Sequence, residues 1–307
     1  MKRVVIIFAM LAAGIAARAQ DADTFKSNYE RQVRMVGNAG VGVETILDRW
    51  EQAFPDDPQM HESRHKYYLA KSAGSSVVIK ETKRYLGKEP VLALKDSSGT
   101  EHFYFEVTVF ADSLFALGQQ AIDRAIQLSP SDLGYRVDKI TALVQYEKDS
   151  PDMATQELLK LIDYHKTAKP SWVYFGLPVD ESTFKQAVQE YCYNFFQFGT
   201  PGSYDAFKTV SEAMHKLYPK DTAYIDNIGS YWLVHMKNDR KALSWYNKAL
   251  KIDPNDYIAA KNCVILARKE KNVKLEKKYL PALMASTSSE SERAACKARL
   301  ESLGKKR

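Results

Sequence analysis

Cysteine is scarce: 307 residues hold three, Cys192, Cys263 and Cys296, far apart and odd in number. That spacing excludes a disulfide framework and a closely spaced thiolate metal site, and is that of buried thiols packing between helices. Glycine (14) and proline (11) are also few, which excludes collagen-like and low-complexity chains. An excess of one charge is missing as well. Beyond residue 19 there are 41 Lys and Arg against 38 Asp and Glu, a net of +3, too little to argue for nucleic acid or an anionic membrane surface. No later segment is long and apolar enough to span a bilayer.

What is present begins at the N-terminus. Lys2 and Arg3 precede an apolar run from Val4 to Ala16, and Ala17-Arg18-Ala19 follows. A basic start, a short apolar centre and small residues around a cut describe a secretory signal peptide over 1–19. No cysteine follows the cut, so a lipid anchor is not expected. The mature chain, 20–307, is then exported to the periplasm or beyond, without stable membrane insertion.

Helical periodicity dominates the mature chain. Phe25, Tyr29, Val33 and Val36 recur at three- and four-residue spacing, and Ile46, Trp50 and Ala53 mark one face of a second helix ending at Pro55. A helix from Met60 to Ala73 finds its partner only at Asp112 to Leu128. In between, VLALK, DSSGT and EHFYFEVTVF read as a β-hairpin, because Phe103, Phe105, Val107 and Val109 alternate with polar neighbours at strand period. The expectation is one hairpin, at about 88–110, inserted between the two helices of a pair.

Four places share the punctuation apolar, any, Pro, any, Asp: AFPDD, LSPSD, LYPKD and IDPND. Proline cannot continue a helix, and the Asp can cap the next one. From Pro219 to Pro254 is 35 residues. Within that span Ile228, Gly229 and Trp232 fall on one helix and Ala242, Tyr246 and Ala249 on the next, with Pro254 closing the pair. This order resembles the tetratricopeptide (TPR) repeat, with a turn one residue longer than the usual unit of roughly 34. The signal end Ala-Arg-Ala-Gln and the single insertion also resemble exported TPR proteins of Bacteroidota.

The resemblance implies an all-α solenoid of about six helix pairs, superhelical, with the polar helix Glu290 to Leu303 as its cap. It further implies a protein or peptide partner, no cofactor and no catalysis. Its groove-facing positions map onto Asp226, Ser230, Leu233 and Val234. Where the TPR chaperone cofactors grip a carboxylate with lysine, this chain has Asp226, which would repel it.

Three other patterns carry chemistry. His61-Glu62-Ser63-Arg64-His65 is a His-Glu-x-x-His: on a helix both histidines share a face and could ligate zinc, with Glu62 activating water. That makes a zinc-dependent hydrolase the alternative function. It resembles the zincins over five residues only, and Tyr68 stands where their extended form has glycine. Ser182-Thr183-Phe184-Lys185 matches the Ser-x-x-Lys of serine β-lactamases, without the other motifs those enzymes need. Trp172, Tyr174 and Phe175, in a loop with Pro170 and Pro178, could line a ligand pocket. As stacking platforms they would suit a carbohydrate-binding helical-repeat protein, a second alternative.

The mature protein is expected to begin at Gln20. N-terminal sequencing of periplasmic material checks this, and a chain still starting at Met1 would show that the leader is retained.

Overall fold

The computed structural model describes residues 22–305; the leader expected at 1–19 lies outside them. The chain is all-α in class, a helical-repeat fold with a three-stranded sheet and a two-stranded ribbon, and it divides into two units. The first comprises the chain up to Lys148 together with Pro170–Ala187, the second Asp149–Lys169 and the chain from Val188 onward.

In the first unit residues 22–36 form α1, followed by α2 (Val43–Ala53), α3 (Pro58–Ser72), α4 (Asp112–Leu128) and α5 (Leu133–Glu147). Between α1 and α2 the chain turns at Gly37 and Gly42, both with positive φ. Tyr29, Val43, Leu47, Trp50, Met60 and Tyr67 close a core between α1, α2 and α3. Arg64, almost fully buried, ties α3 to α2 through Asp48 and Glu51, at 2.7 Å each.

The insertion between α3 and α4 is larger than the expected hairpin. Besides β2 (Leu92–Lys95) and β3 (Glu101–Phe110) it contains β1 (Ala73–Lys80), and the antiparallel order is β1-β3-β2. β1 escapes notice in the sequence because it leaves α3 without a turn and opens on Gly74-Ser75-Ser76, poor strand formers. The insertion leaves the helix pair intact: α3 packs on α4, and the Ala111 amide donates to the Ser72 carbonyl at 2.8 Å. The sheet's two faces differ. Phe103, Phe105 and Val107 are buried, with Tyr85 against Phe105, whereas Val77, Ile79, Leu92 and Leu94 are exposed.

The second unit holds α6 (Asp152–Ala168), most of α7 (Glu181–Phe198), α8 (Pro201–Leu217), α9 (Thr222–Ser230), α10 (Asp239–Ile252), α11 (Tyr257–Lys269), α12 (Val273–Ser286) and α13 (Glu290–Lys305). α9 runs into a π turn, Tyr231–His235, in which the Met236 amide reaches back to Tyr231. The extra residue of the 35-residue repeat is therefore absorbed in its first helix, as a widened turn, rather than in the loop. From α9 to α13 one core runs through Ile225, Ala242, Tyr246, Cys263, Leu280 and Leu303. All three cysteines are free and buried. Glu276, inside the basic stretch Arg268–Lys278, is buried and held by Arg268 at 2.7 Å and Arg299 at 2.8 Å, joining α11, α12 and α13. These guanidiniums, Arg299 foremost, keep its carboxyl below the usual range.

The four Asp of the proline punctuation are helix N-caps. Asp57, Asp132, Asp221 and Asp256 accept from Gln59, Gly134, Ala223 and Ala259 amides at 2.9, 2.9, 3.2 and 2.9 Å.

Gly229 is the tightest approach in the best-formed repeat, since a Cβ there would stand 2.7 Å from the Tyr246 ring. Gly229→Ala is expected to lower stability by about 1–3 kcal/mol despite alanine's better helix propensity. An unchanged urea midpoint would show that the ring gives way freely.

Candidate functional site

Alternate helices of the first unit share a groove of about 530 Å³. α1 contributes Lys26, Tyr29, Glu30, Val33 and Arg34; α3 contributes Gln59, Glu62, Ser63 and Lys66; Tyr135 of α5 and Phe175 line it as well. Helical spacing explains the α3 set, because 59, 62, 63 and 66 fall on one stripe. The Tyr29 hydroxyl donates to the Ser63 carbonyl at 3.4 Å, fixing α1 against α3.

Phe175 is held in place by an unusual turn. Val173–Tyr174 pairs with Leu177–Pro178, and the two residues between, Phe175 and Gly176, have φ of 47° and 81°. Such a turn favours Asn or Gly, so an aromatic residue with positive φ is strained and needs support. Asp132 provides it: besides capping α5, its carboxylate accepts from the Phe175 and Gly176 amides at 3.0 and 3.1 Å. Gly134 leaves the seat, since a Cβ there would come within 2.8 Å of the Phe175 ring. The ring also meets Tyr135 edge-on at 5.8 Å.

Beside Phe175 stands a cluster of charge. Lys66 pairs with Glu62, one turn earlier on α3, lies 3.8 Å from Asp138 Oδ2, and sits 5.4 Å from the centre of the Phe175 ring. Glu62 is only 9% exposed. Burial pushes Asp138 up to about 7; Lys66 opposes the shift and the neighbouring Glu62 carboxylate adds to it. The Tyr135 hydroxyl is raised too, first by burial and then by four carboxylates, Asp132, Glu62, Asp57 and Asp138. Sequence reasoning missed this cluster: Glu62 and Lys66 carry an i,i+4 signal, but nothing marks Asp138.

In the His-Glu-x-x-His stretch each ring has one nitrogen taken by a backbone carbonyl. His61 Nε2 donates to the Pro55 carbonyl at 2.7 Å, and His65 Nδ1 donates to the Gly118 carbonyl at 2.9 Å. The nitrogen that His61 would offer a metal is thus engaged, and Glu62 is occupied by Lys66. Burial lowers His65 to about 4, so its ring is neutral and serves to join α3 to α4. Among the described residues no group of three His, Cys, Asp or Glu side chains could hold a metal ion.

The positions expected to line a groove on α9 are not brought together. Asp226 is 5% exposed and turned inward to Asp256, with which it shares a hydrogen bond. Ser230 bonds the Tyr246 hydroxyl at 3.1 Å, and Leu233 packs on the core. Val234, beyond the start of the π turn, is 42% exposed. The aromatic loop is divided in the same way. Trp172, 4% exposed, stacks on Phe184 with centroids 5.8 Å apart and planes 6° apart, so it offers no platform to a sugar. Tyr174 and Phe175 remain partly exposed.

No protein-family model matches the chain, and no curated protein matches it. Several solved structures are similar to it, two of them as follows. That of pilF from Pseudomonas aeruginosa is 15% identical, with a TM-score of 0.39, over 62% of this chain and 76% of its own. The flexible tandem repeat domain of a bacterial cellulose synthase is 15% identical, with a TM-score of 0.27, over 86% and 90%. Likeness at this level leaves the function to the geometry.

Burial, with Asp256 adding to it, pushes Asp226 up to about 9. In the unfolded chain an aspartate titrates near ~4, so folding takes up a proton and stability falls as pH rises from about 4 to about 9. Asp226→Asn keeps a donor for Asp256 and removes the proton requirement. At pH 8 it should be more stable than the native chain by on the order of 1–3 kcal/mol, the gap closing toward pH 4. Thermal melts across that range decide it, and parallel curves with the variant below the native chain would refute the assignment.

Proposed function

We propose that the protein is an exported, non-enzymatic helical-repeat scaffold of the cell envelope, and that it holds a segment of a partner protein or peptide in the groove of α1, α3 and α5. The observation that carries this is Phe175. A strained aromatic residue, held through backbone amides on one buried aspartate, is directed into the groove of the first unit. Chain-like ligands suit a surface of this kind, in which polar side chains alternate with aromatic rings along the groove. The near balance of charge fits a protein partner better than nucleic acid.

A photo-crosslinking residue placed at Gln59 or Lys26 is expected to trap a partner in the native envelope. One placed at Thr209, in the separate groove between α6 and α8, or at Val77 on the sheet should not. Crosslinks confined to Thr209 or Val77 would move the binding surface away from the α1–α3–α5 groove.

A further inference from the structure

We infer that the partner segment is anchored by one large apolar side chain, aliphatic or aromatic, packed against Phe175 where its ribbon meets the groove; the inference rests on the scaffold reading above. The tip of the ribbon is costly to build. A two-residue turn with positive φ at both positions is the place for Asn-Gly, whose backbone takes that conformation freely and whose side chains suit water. Here Phe175 stands first, at φ 47°, ahead of Gly176. It is 38% exposed, and Tyr174, exposed to a similar extent, meets its ring edge-on at 4.8 Å. Leu177, paired with Tyr174 across the ribbon, is 71% exposed. Backbone strain and exposed apolar surface thus coincide on a single turn, while Asp132 and the space left by Gly134 hold the Phe175 ring in its place.

The charges of the groove select an uncharged occupant at this point. Glu62 and Lys66 are paired with each other beside the ring, and Asp138, which shares a hydrogen bond with Glu62, does not line the groove. The other charged lining residues, Lys26, Glu30 and Arg34, all belong to α1. A charged side chain entering beside Phe175 would give up its water and find both neighbouring charges already matched, whereas an apolar one would cover the ring and gain by burial. Tyr135, buried and edge-on to Phe175, supplies a second aromatic wall. A ring fixed beforehand by packing and by its backbone bonds loses little freedom when it is covered, which suits Phe175 to carry a large share of the binding.

The test selects from random nonapeptides, acetylated and amidated so that their termini are uncharged, on the immobilised whole chain. The odds of a large apolar residue over any other are expected to rise about tenfold at one position and to stay near those of the library elsewhere. Phe175→Asn should stay folded, because the turn favours Asn, and should abolish that enrichment. Circular dichroism confirms that the variant is folded, and the native chain's preference alone decides the question if it is not. A charged or small polar residue at the enriched position, apolar enrichment at every position, or an apolar position indifferent to Phe175→Asn would overturn the inference while leaving the groove as the binding surface. Enrichment that survives Gln59→Trp, which fills the groove, or no enrichment at all, would overturn the groove reading along with it.

Discussion

The bond between an aspartate side chain and the first amides of the next helix is the constraint on which the rest depends. At four points a helix ends, a proline forbids its continuation, and two residues later the Asp backbone amide returns to the carbonyl three residues before it while its side chain caps the new helix. The turn is tight and the same each time, so the chain reverses with little freedom and the apolar faces of successive helices meet. A carboxylate has more acceptor capacity than a cap uses, and the remaining oxygen does different work at each place. Asp57 accepts from the Trp50 indole, Asp132 accepts from the amides of the Phe175 turn, and Asp256 faces Asp226. The elements that position the groove hang on these spare lone pairs.

The same chemistry distinguishes finished from unfinished clusters. Glu276 is buried between two guanidiniums that supply directional donors, and its carboxyl is held down. Glu62 and Asp138 share a single ammonium, and Asp138 is pushed up instead. One cluster binds helices together. The other sets two carboxylates of α3 and α5 against one ammonium.

Much of the fold is legible in the sequence because its signals are local. Proline and aspartate mark the turns, the alternation of Phe103, Phe105 and Val107 marks β3, and Gly229 opposite Tyr246 marks a close approach. β1 is not legible, since its identity comes from pairing with β3 and not from its own composition. The site is largely illegible for a related reason. Asp226 is at the position that faces the groove in the family it resembles, yet a second aspartate thirty residues on turns it inward. Asp138 has no pattern of its own and matters only because α3 brings Lys66 to it. His61 and His65 have metal-binding spacing, but the nearby carbonyls of Pro55 and Gly118 decide what the rings do.

The sheet between α3 and α4 leaves and rejoins the helices at one point, where the Ala111 amide meets the Ser72 carbonyl and Ala73 pairs with Phe110. Because its two ends are in register with each other, the helix pair closes whatever length of chain lies beyond them. The sheet can thus lengthen or shorten at its far end without shifting the helices beneath, and its exposed face of Val77, Ile79, Leu92 and Leu94 is free to diverge while the face that carries Phe103, Phe105 and Val107 stays tied to the frame.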